Sequence, residues 1–218
     1  MSTLKILIAD DHDIVREGLR VLLLKHKEWE ICAEATNGRE AVEKARETSP
    51  DIALLDFSMP ELNGLDATRQ IRKILPQTEV LILTMHDSEQ LVRELLEAGA
   101  RGYLVKTDAS RHLIPAILSL AAHKPYFSSK ISPLLLDAYL RPGSQGPGAR
   151  VMRGPLSPRE REVVQLVAEG KSSKEIASTL NIALKTVNAH RANIMNKLDL
   201  HSLGELVLYA VRNKLVQP

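Results

Sequence analysis

Short apolar runs recur through the first half of the chain, and four of them stop on a polar residue. Ile6 to Ala9 runs into Asp10 and Asp11, Ile52 to Leu55 into Asp56, Val80 to Leu83 into Thr84, and Tyr103 to Val105 into Lys106. A continuous apolar run, rather than an alternating one, predicts a parallel strand covered on both faces. Between the runs, apolar residues recur at helical spacing, which predicts helices near Ile14 to His26, Gly38 to Glu47, Leu65 to Leu75, Glu89 to Ala98 and Ser110 to Ala122. A further strand is expected over Glu30 to Ala35, and Asp13 is expected to cap the first helix. Five alternating βα units predict an α/β fold, a doubly wound, five-stranded parallel sheet.

The pattern changes beyond residue 124. Pro133 followed by Leu134 to Leu140 predicts a short connecting helix, and Arg141 to Gly148, rich in Pro and Gly, predicts a flexible linker. The expected division is therefore residues 1–124, a connection over 125–152, and a second domain over 153–218. That domain reads as all-α. Ser157-Pro158-Arg159-Glu160 has the form of a capping box with proline in the first helical position, and Ser172 to Glu175 and Ser202 to Glu205 repeat the Ser-x-x-Glu spacing. Another helix, Leu184 to Leu198, follows a turn at Asn181-Ile182, making four. Val163, Leu166, Val167, Ile176, Ala177, Leu180, Val187, Ile194 and Leu198 fall on the inward faces. A short helix, a tight turn and a helix with exposed polar positions make a helix-turn-helix, whose second helix enters the DNA major groove.

Charge sharpens the division. The whole chain of 218 residues has a net charge of only +2, but Ala149 to Pro218 holds 11 Lys+Arg against 6 Asp+Glu, leaving the remainder acidic. A basic domain supplies the sequence-independent part of DNA affinity, although a solvated surface has the same composition. The single cysteine, Cys32, excludes an internal disulfide and lies in an expected strand, where packing is its simplest role. No apolar run reaches the roughly 18 to 20 residues of a membrane span, and Met-Ser-Thr-Leu-Lys is not a signal-peptide start. No membrane partner is expected, and the reducing cytoplasm is the expected compartment.

Open parallel sheets bind ligands beyond the carboxyl ends of their strands, so the four polar strand ends should converge. Crowded carboxylates need a cation, a lysine or a raised pKa, and an all-oxygen set suits Mg²⁺, which commonly completes its shell with phosphate oxygens. This chemistry suggests phosphoryl transfer: Asp56 as nucleophile, Asp11 with Asp10 behind it on the metal, and Thr84 and Lys106 receiving the phosphoryl oxygens. Taken singly, each residue is equally a loop former or a helix cap.

Asp10-Asp11, the Asp56-Phe57-Ser58-Met59-Pro60 segment with Gly64, Leu83-Thr84, and Tyr103-Leu104-Val105-Lys106 resemble the receiver domain of bacterial two-component response regulators over Leu4 to Ala122. The resemblance implies a flavodoxin-like fold and phosphorylation of Asp56 by a histidine kinase. It also implies Mg²⁺ held by Asp11, Asp56 and the Ser58 main-chain carbonyl, and a Tyr103 rotamer that follows the state of Thr84. Two positions depart from the commonest pattern. Met85 stands where a small residue is frequent, which is expected to slow small phosphodonors. Thr107 follows Lys106 where many relatives have proline, so a cis peptide there lacks its usual support.

In the second domain, Leu156 to Glu162, Lys174-Glu175-Ile176-Ala177 and Lys185-Thr186-Val187-Asn188-Ala189-His190 resemble the LuxR-type DNA-binding domain, so the whole chain resembles a NarL/FixJ-family response regulator. The resemblance places the recognition helix over about Leu184 to Lys197. Asn188 and Ala189 suit base edges, since Asn pairs bidentately with adenine and a small apolar group meets a thymine methyl. Lys185, Thr186, Arg191 and Lys197 suit phosphates, with a solvated helix face as the alternative for the charged ones. A lone His190 suits a structural role. Ala183 offers no N-cap, so a frayed or DNA-ordered first turn is expected, and Asn188 replaces a frequent lysine. Family likeness assigns part of the last helix, with Leu203, Val207, Ala210 and Val211, to a subunit interface. The implied partners are a sensor histidine kinase, a double-stranded operator with inverted half-sites, a second copy of the phosphorylated chain, and RNA polymerase.

Two other classes remain. A Mg²⁺-dependent aspartyl-phosphate phosphatase uses the same constellation, but commonly needs an aspartate two residues beyond the nucleophile, where this chain has Ser58, and a cap insertion. A regulator that acts without phosphorylation would not require the reacting residues, all of which are present.

Overall fold

The computed structural model describes residues 3–85, 89–127 and 156–216, and the chain divides into two compact units, Met1–Pro142 and Gly143–Pro218. The connecting helix and linker expected between Pro133 and Gly148 lie outside the described residues.

In the first unit the elements alternate: β1 (Leu4–Ala9), α1 (Asp13–Leu23), β2 (Trp29–Ala35), α2 (Gly38–Thr48), β3 (Ile52–Asp56), α3 (Gly64–Ile74), β4 (Glu79–Thr84), α4 (Glu89–Glu97), β5 (Gly102–Val105), a 3₁₀ turn (Lys106–Asp108) and α5 (Ala109–Ala121). The strands are parallel in the order β2-β1-β3-β4-β5, and a sixth, β6 (Tyr126–Phe127), adds in parallel to β5. The pleat divides the strand side chains between two layers. Leu7, Ala9, Ala53, Leu55, Val80, Ile82 and Tyr103 face a core closed by α2, α3 and α4. Ile6, Ile8, Ile52, Leu54, Leu81 and Leu104 face one closed by α1 and α5. Full burial on both faces explains why the strands read as continuous apolar runs, each aliphatic side chain contributing about 1.5–3 kcal/mol.

Three expectations are corrected. The sheet has six strands rather than five, and it continues to Phe127, past the expected boundary at residue 124. The N-cap of α1 is His12 rather than Asp13, which pairs instead with Arg16 at 2.6 Å. The first helix also stops at Leu23 instead of His26. Strand β2 starts at Trp29, and its register against β1 slips by one residue between Ile6 and Leu7, leaving Cys32 as the extra residue of a bulge. Its half-buried thiol is pushed up by burial and contacts Thr48 Oγ1, in keeping with packing. Every described peptide bond is trans, including Lys106–Thr107.

The second unit comprises α6 (Pro158–Ala168), α7 (Ser173–Thr179), α8 (Leu184–Leu198) and α9 (Leu203–Arg212). The expected inward residues form its core, with Ala177 partly buried beside it. Ser157 with Glu160, and Ser172 with Glu175, complete both halves of a capping box. The third box is only half formed: Ser202 caps the Glu205 amide, but Glu205 turns to the His201 amide. Asn181 takes a left-handed conformation, φ 50°, in the turn before α8, which its short polar side chain tolerates. Among the described residues no helix is long and apolar enough to cross a membrane.

Candidate functional site

Strand order reverses between β1 and β3, and the crevice above their carboxyl ends is where the expected acidic residues meet. Asp10 and Asp56 are buried at the ends of these neighbouring strands, while Asp11 is more open. The Lys106 ammonium comes from the end of β5 to within 2.8 Å of Asp10 Oδ2 and 3.0 Å of Asp56 Oδ2. Burial raises the Asp56 carboxyl from 3.8 to about 6; the charge of Lys106 opposes the rise, and those of Asp10 and Asp11 add to it. Burial works to lower Lys106, but the two carboxylates outweigh it and hold the ammonium above its ordinary range.

Local chemistry fixes this geometry. The Arg16 guanidinium donates to the Asp10 carbonyl at 2.8 Å and so ties α1 to the end of β1. After Asp56 the chain turns back through Ser58, and the Gly64 amide donates to the Phe57 carbonyl at 2.8 Å. A Cβ on Gly64 would stand 2.2 Å from the Asp56 carbonyl oxygen, so the loop that carries Ser58 closes only over glycine. Thr84 is buried at the end of β4, Tyr103 is buried in β5, and Met85, next to Thr84, is 58% exposed.

The donor set fits a hard divalent cation. Ligand atoms of Asp10, Asp11, His12 and Asp56 lie within 4.8 Å of one another. Oδ2 of Asp10 and of Asp56 is buried and meets the Lys106 ammonium, and the lone pairs that this contact leaves on the carboxylates suit an ion. His12 is the member that the sequence reading missed: its Nδ1 lies 2.9 Å from Asp11 Oδ1 and 3.1 Å from Asp10 Oδ1. Adjacency to the Asp10-Asp11 pair was the available signal.

In the second unit, Lys185, Thr186, Asn188 and Ala189 are exposed on one side of α8 while Val187 points into the core. Ala192, Asn193 and Asn196 extend the exposed face and were not anticipated. Arg191 is half-buried and donates to Ser173 Oγ at 2.8 Å, joining α8 to α7. Lys197, expected at a phosphate, is engaged inside the domain: its ammonium meets Glu160 Oε2 at 2.7 Å, neutralising the buried carboxylate of the first capping box. Ala183 provides no side-chain cap, yet the first turn is formed, its carbonyl accepting from both the Thr186 and Val187 amides. On α9, Leu203 is exposed and Val207 and Val211 are partly so, whereas Ala210 is fully buried and belongs to the core; Leu208, 55% exposed, joins the outer face.

The family model of the response regulator receiver domain matches residues 6–118, and that of bacterial regulatory proteins of the luxR family matches residues 154–210. The oxygen regulatory protein NreC of Staphylococcus epidermidis is 39% identical over 218 residues, covering 98% of this chain and 100% of the relative. Among solved structures, a LuxR-family two-component response regulator from Aurantimonas sp. SI85-9A1 matches 64% of this chain and 100% of its own length at 36% identity, TM-score 0.60. The RcsB response regulator of Salmonella typhimurium matches 96% of this chain and 97% of its own at 26% identity, TM-score 0.62. A complex of RcsB with DNA matches at 26% identity over 95% of this chain and 98% of its own, TM-score 0.59. With both domain patterns matched in order, and a relative aligned from end to end, the chain belongs to the NarL/FixJ family of two-component response regulators, a receiver domain followed by a LuxR-type DNA-binding domain.

Proposed function

We propose that Asp56 accepts a phosphoryl group from a sensor histidine kinase in the cytoplasm, and that the phosphorylated chain dimerises and binds an operator with inverted half-sites. The observation that carries this reading is the Lys106 ammonium held 3.0 Å from Asp56 Oδ2 and 2.8 Å from Asp10 Oδ2. A carboxylate beside a fixed cation, in a set of oxygen donors, is arranged for charge developing on a transferred phosphoryl group. Asp10, Asp11, Asp56 and the Ser58 carbonyl would hold Mg²⁺, which supplies neutralisation of that charge when bound. The Asp56 carboxylate attacks phosphorus as the P–N bond to the kinase's phosphohistidine breaks and the imidazole leaves, Lys106 and Thr84 take up phosphoryl oxygens, and Tyr103 follows Thr84 inward.

Phosphorylation replaces the single carboxylate charge with a phosphoryl group carrying about 1.5 to 2 negative charges at a buried strand end, and the resulting shift biases the dimer. A coupling of about 1 to 3 kcal/mol gives roughly 5- to 150-fold control of DNA binding. On the operator, Asn188 and Ala189 read base edges while Lys185, Thr186 and Arg191 meet phosphates, with RNA polymerase recruited to the bound dimer. Leu203, Leu208, Val207 and Val211 form the outer face of α9 that pairs with a second copy. Intact mass and DNA binding of wild type and Asp56→Asn, after treatment with a small phosphodonor and Mg²⁺, test the reading, with Met85→Ala as a control for access. One phosphoryl adduct, lost in Asp56→Asn and accompanied by dimerisation and tighter specific binding, is expected. No adduct even in Met85→Ala, with specific binding already tight in unphosphorylated protein, would favour a receiver that answers to another signal.

A further inference from the structure

We propose that the half-site read by α8 is built of A·T pairs, with Asn188, Asn193 and Asn196 pairing with adenines and Ala189 and Ala192 meeting thymine methyl groups. The inference rests on the operator-binding reading and names the class of base sequence that this helix takes.

The exposed face of α8 is the first ground. Val187, Ile194 and Leu198 are buried in the core of the unit. At 3.6 residues per turn, Ala189, Ala192 and Asn196 fall on the opposite side of the helix, with Asn188 and Asn193 flanking them, and all five are exposed. From Asn188 to Asn196 the helix axis advances about 12 Å, close to the width of the major groove. The two alanines carry only a methyl group each, so the helix can seat close to the base edges and the longer amides around them can reach in.

The second ground is where the cations of this helix go. An Arg or Lys placed on guanine N7 and O6 is the commonest base-specific contact. Arg191 is half-buried and donates to Ser173 Oγ at 2.8 Å, while the Lys197 ammonium meets Glu160 Oε2 at 2.7 Å. Lys185, in the first turn, is the one charged residue left among the exposed positions of α8. Beyond that turn the face offers amides and methyl groups alone, and no guanidinium fork for guanine.

Composition also separates this face from an ordinary solvated one. Exposed helix positions are best served by Lys, Glu, Gln and Arg, which favour the helix and pair along it. Asn is a poor helix former, so three of them on one exposed face contribute nothing to the helix itself, and none of their side-chain amides bonds to another described residue. An amide carries a donor and an acceptor side by side, and adenine is the base whose major-groove edge presents the matching pair, N7 and N6.

The test selects binding sites from random duplexes with the full chain, with and without a small phosphodonor and Mg²⁺, and then reads affinities for the selected site by fluorescence anisotropy. The enriched half-site is expected to be A·T at the positions under α8. Uracil in place of thymine removes only the methyl group and should weaken binding about fourfold per contacted base. Replacing adenine by 7-deazaadenine, which lacks the N7 acceptor, should weaken it about tenfold. Asn193→Arg should turn one selected position from adenine to guanine. G·C pairs at these positions, an A·T site indifferent to both analogues, or an unchanged selection by Asn193→Arg would overturn the assignment. Failure of the wild type to enrich any sequence, phosphorylated or not, would instead overturn the operator-binding reading beneath it.

Discussion

Neutralising Asp56 should stabilise the metal-free receiver at alkaline pH. Its folded-state pKa is raised from 3.8 to about 6, chiefly by burial, so the native state binds this proton more tightly than the unfolded chain does. The stability contributed by the group is thus fully present below 3.8 and is lost as pH rises through 6. At 1.36 kcal/mol per tenfold in the ionisation constant, the ionised carboxylate costs about 3 kcal/mol at pH 8. Asp56→Asn removes that cost while keeping the side-chain volume. For a domain of this size the gain should appear as a rise of roughly 6 to 10 °C in Tm. At pH 5 the wild-type carboxyl is largely protonated and the gap should narrow by about 1.4 kcal/mol, near half. Trp29 is the only tryptophan of the chain and is buried in the first unit, so its fluorescence follows receiver unfolding in the full-length protein. Mg²⁺ should raise wild type more than the variant. Equal Tm values at pH 8, or a gap that widens towards pH 5, would refute the reasoning.

Three further substitutions probe the second unit. Ala183→Ser gives α8 the cap that it lacks and should stabilise this unit by about 1 kcal/mol; an unchanged melting temperature would count against the uncapped turn as a weak point. Lys197→Met leaves the Glu160 carboxylate without its cation, and should lower the melting temperature of this unit with no change in the salt slope of DNA binding. A slope reduced by about one, with stability intact, would restore Lys197 to the phosphate contacts. Asn188→Ala should cost about 1 to 3 kcal/mol of specific binding and nothing in competitor-rich, non-specific binding; an equal loss in both would place Asn188 on the backbone.

The receiver's architecture was legible because both faces of its sheet are buried. Ile6, Ile8, Ile52, Leu54, Leu7 and Leu55 lie on opposite faces yet are all fully covered, so the strands announce themselves as unbroken apolar runs and the residue ending each run is carried to the same edge. Convergence of Asp10, Asp56 and Lys106 follows from that topology alone, and the structure brings the Lys106 ammonium within 3.0 Å of both carboxylates. Strand β6 was not legible, since two residues, Tyr126 and Phe127, have no period; backbone pairing with β5 places them, helped by Tyr126 Oη at 2.7 Å from His112 Nδ1.

The side chains found with other partners than expected share one cause. A sequence shows what a residue can do, but not which of several nearby demands it meets. Lys197 sits on a helix suited to DNA phosphates, yet a carboxylate 37 positions earlier claims it at 2.7 Å, because Glu160, almost fully buried at the start of α6, costs more unpaired than an exposed lysine gains at a phosphate. His12 is the converse case. Its neighbour Asp13 suits an N-cap, but Asp13 turns to Arg16, and the cap position falls to a histidine whose ring is drawn to Asp10 and Asp11. Capping by Asp13 was worth about 1 kcal/mol. Charge-assisted contacts to two carboxylates, that of Asp10 shielded from water, outweigh it, so the local rule yields at the site where the receiver concentrates its charge.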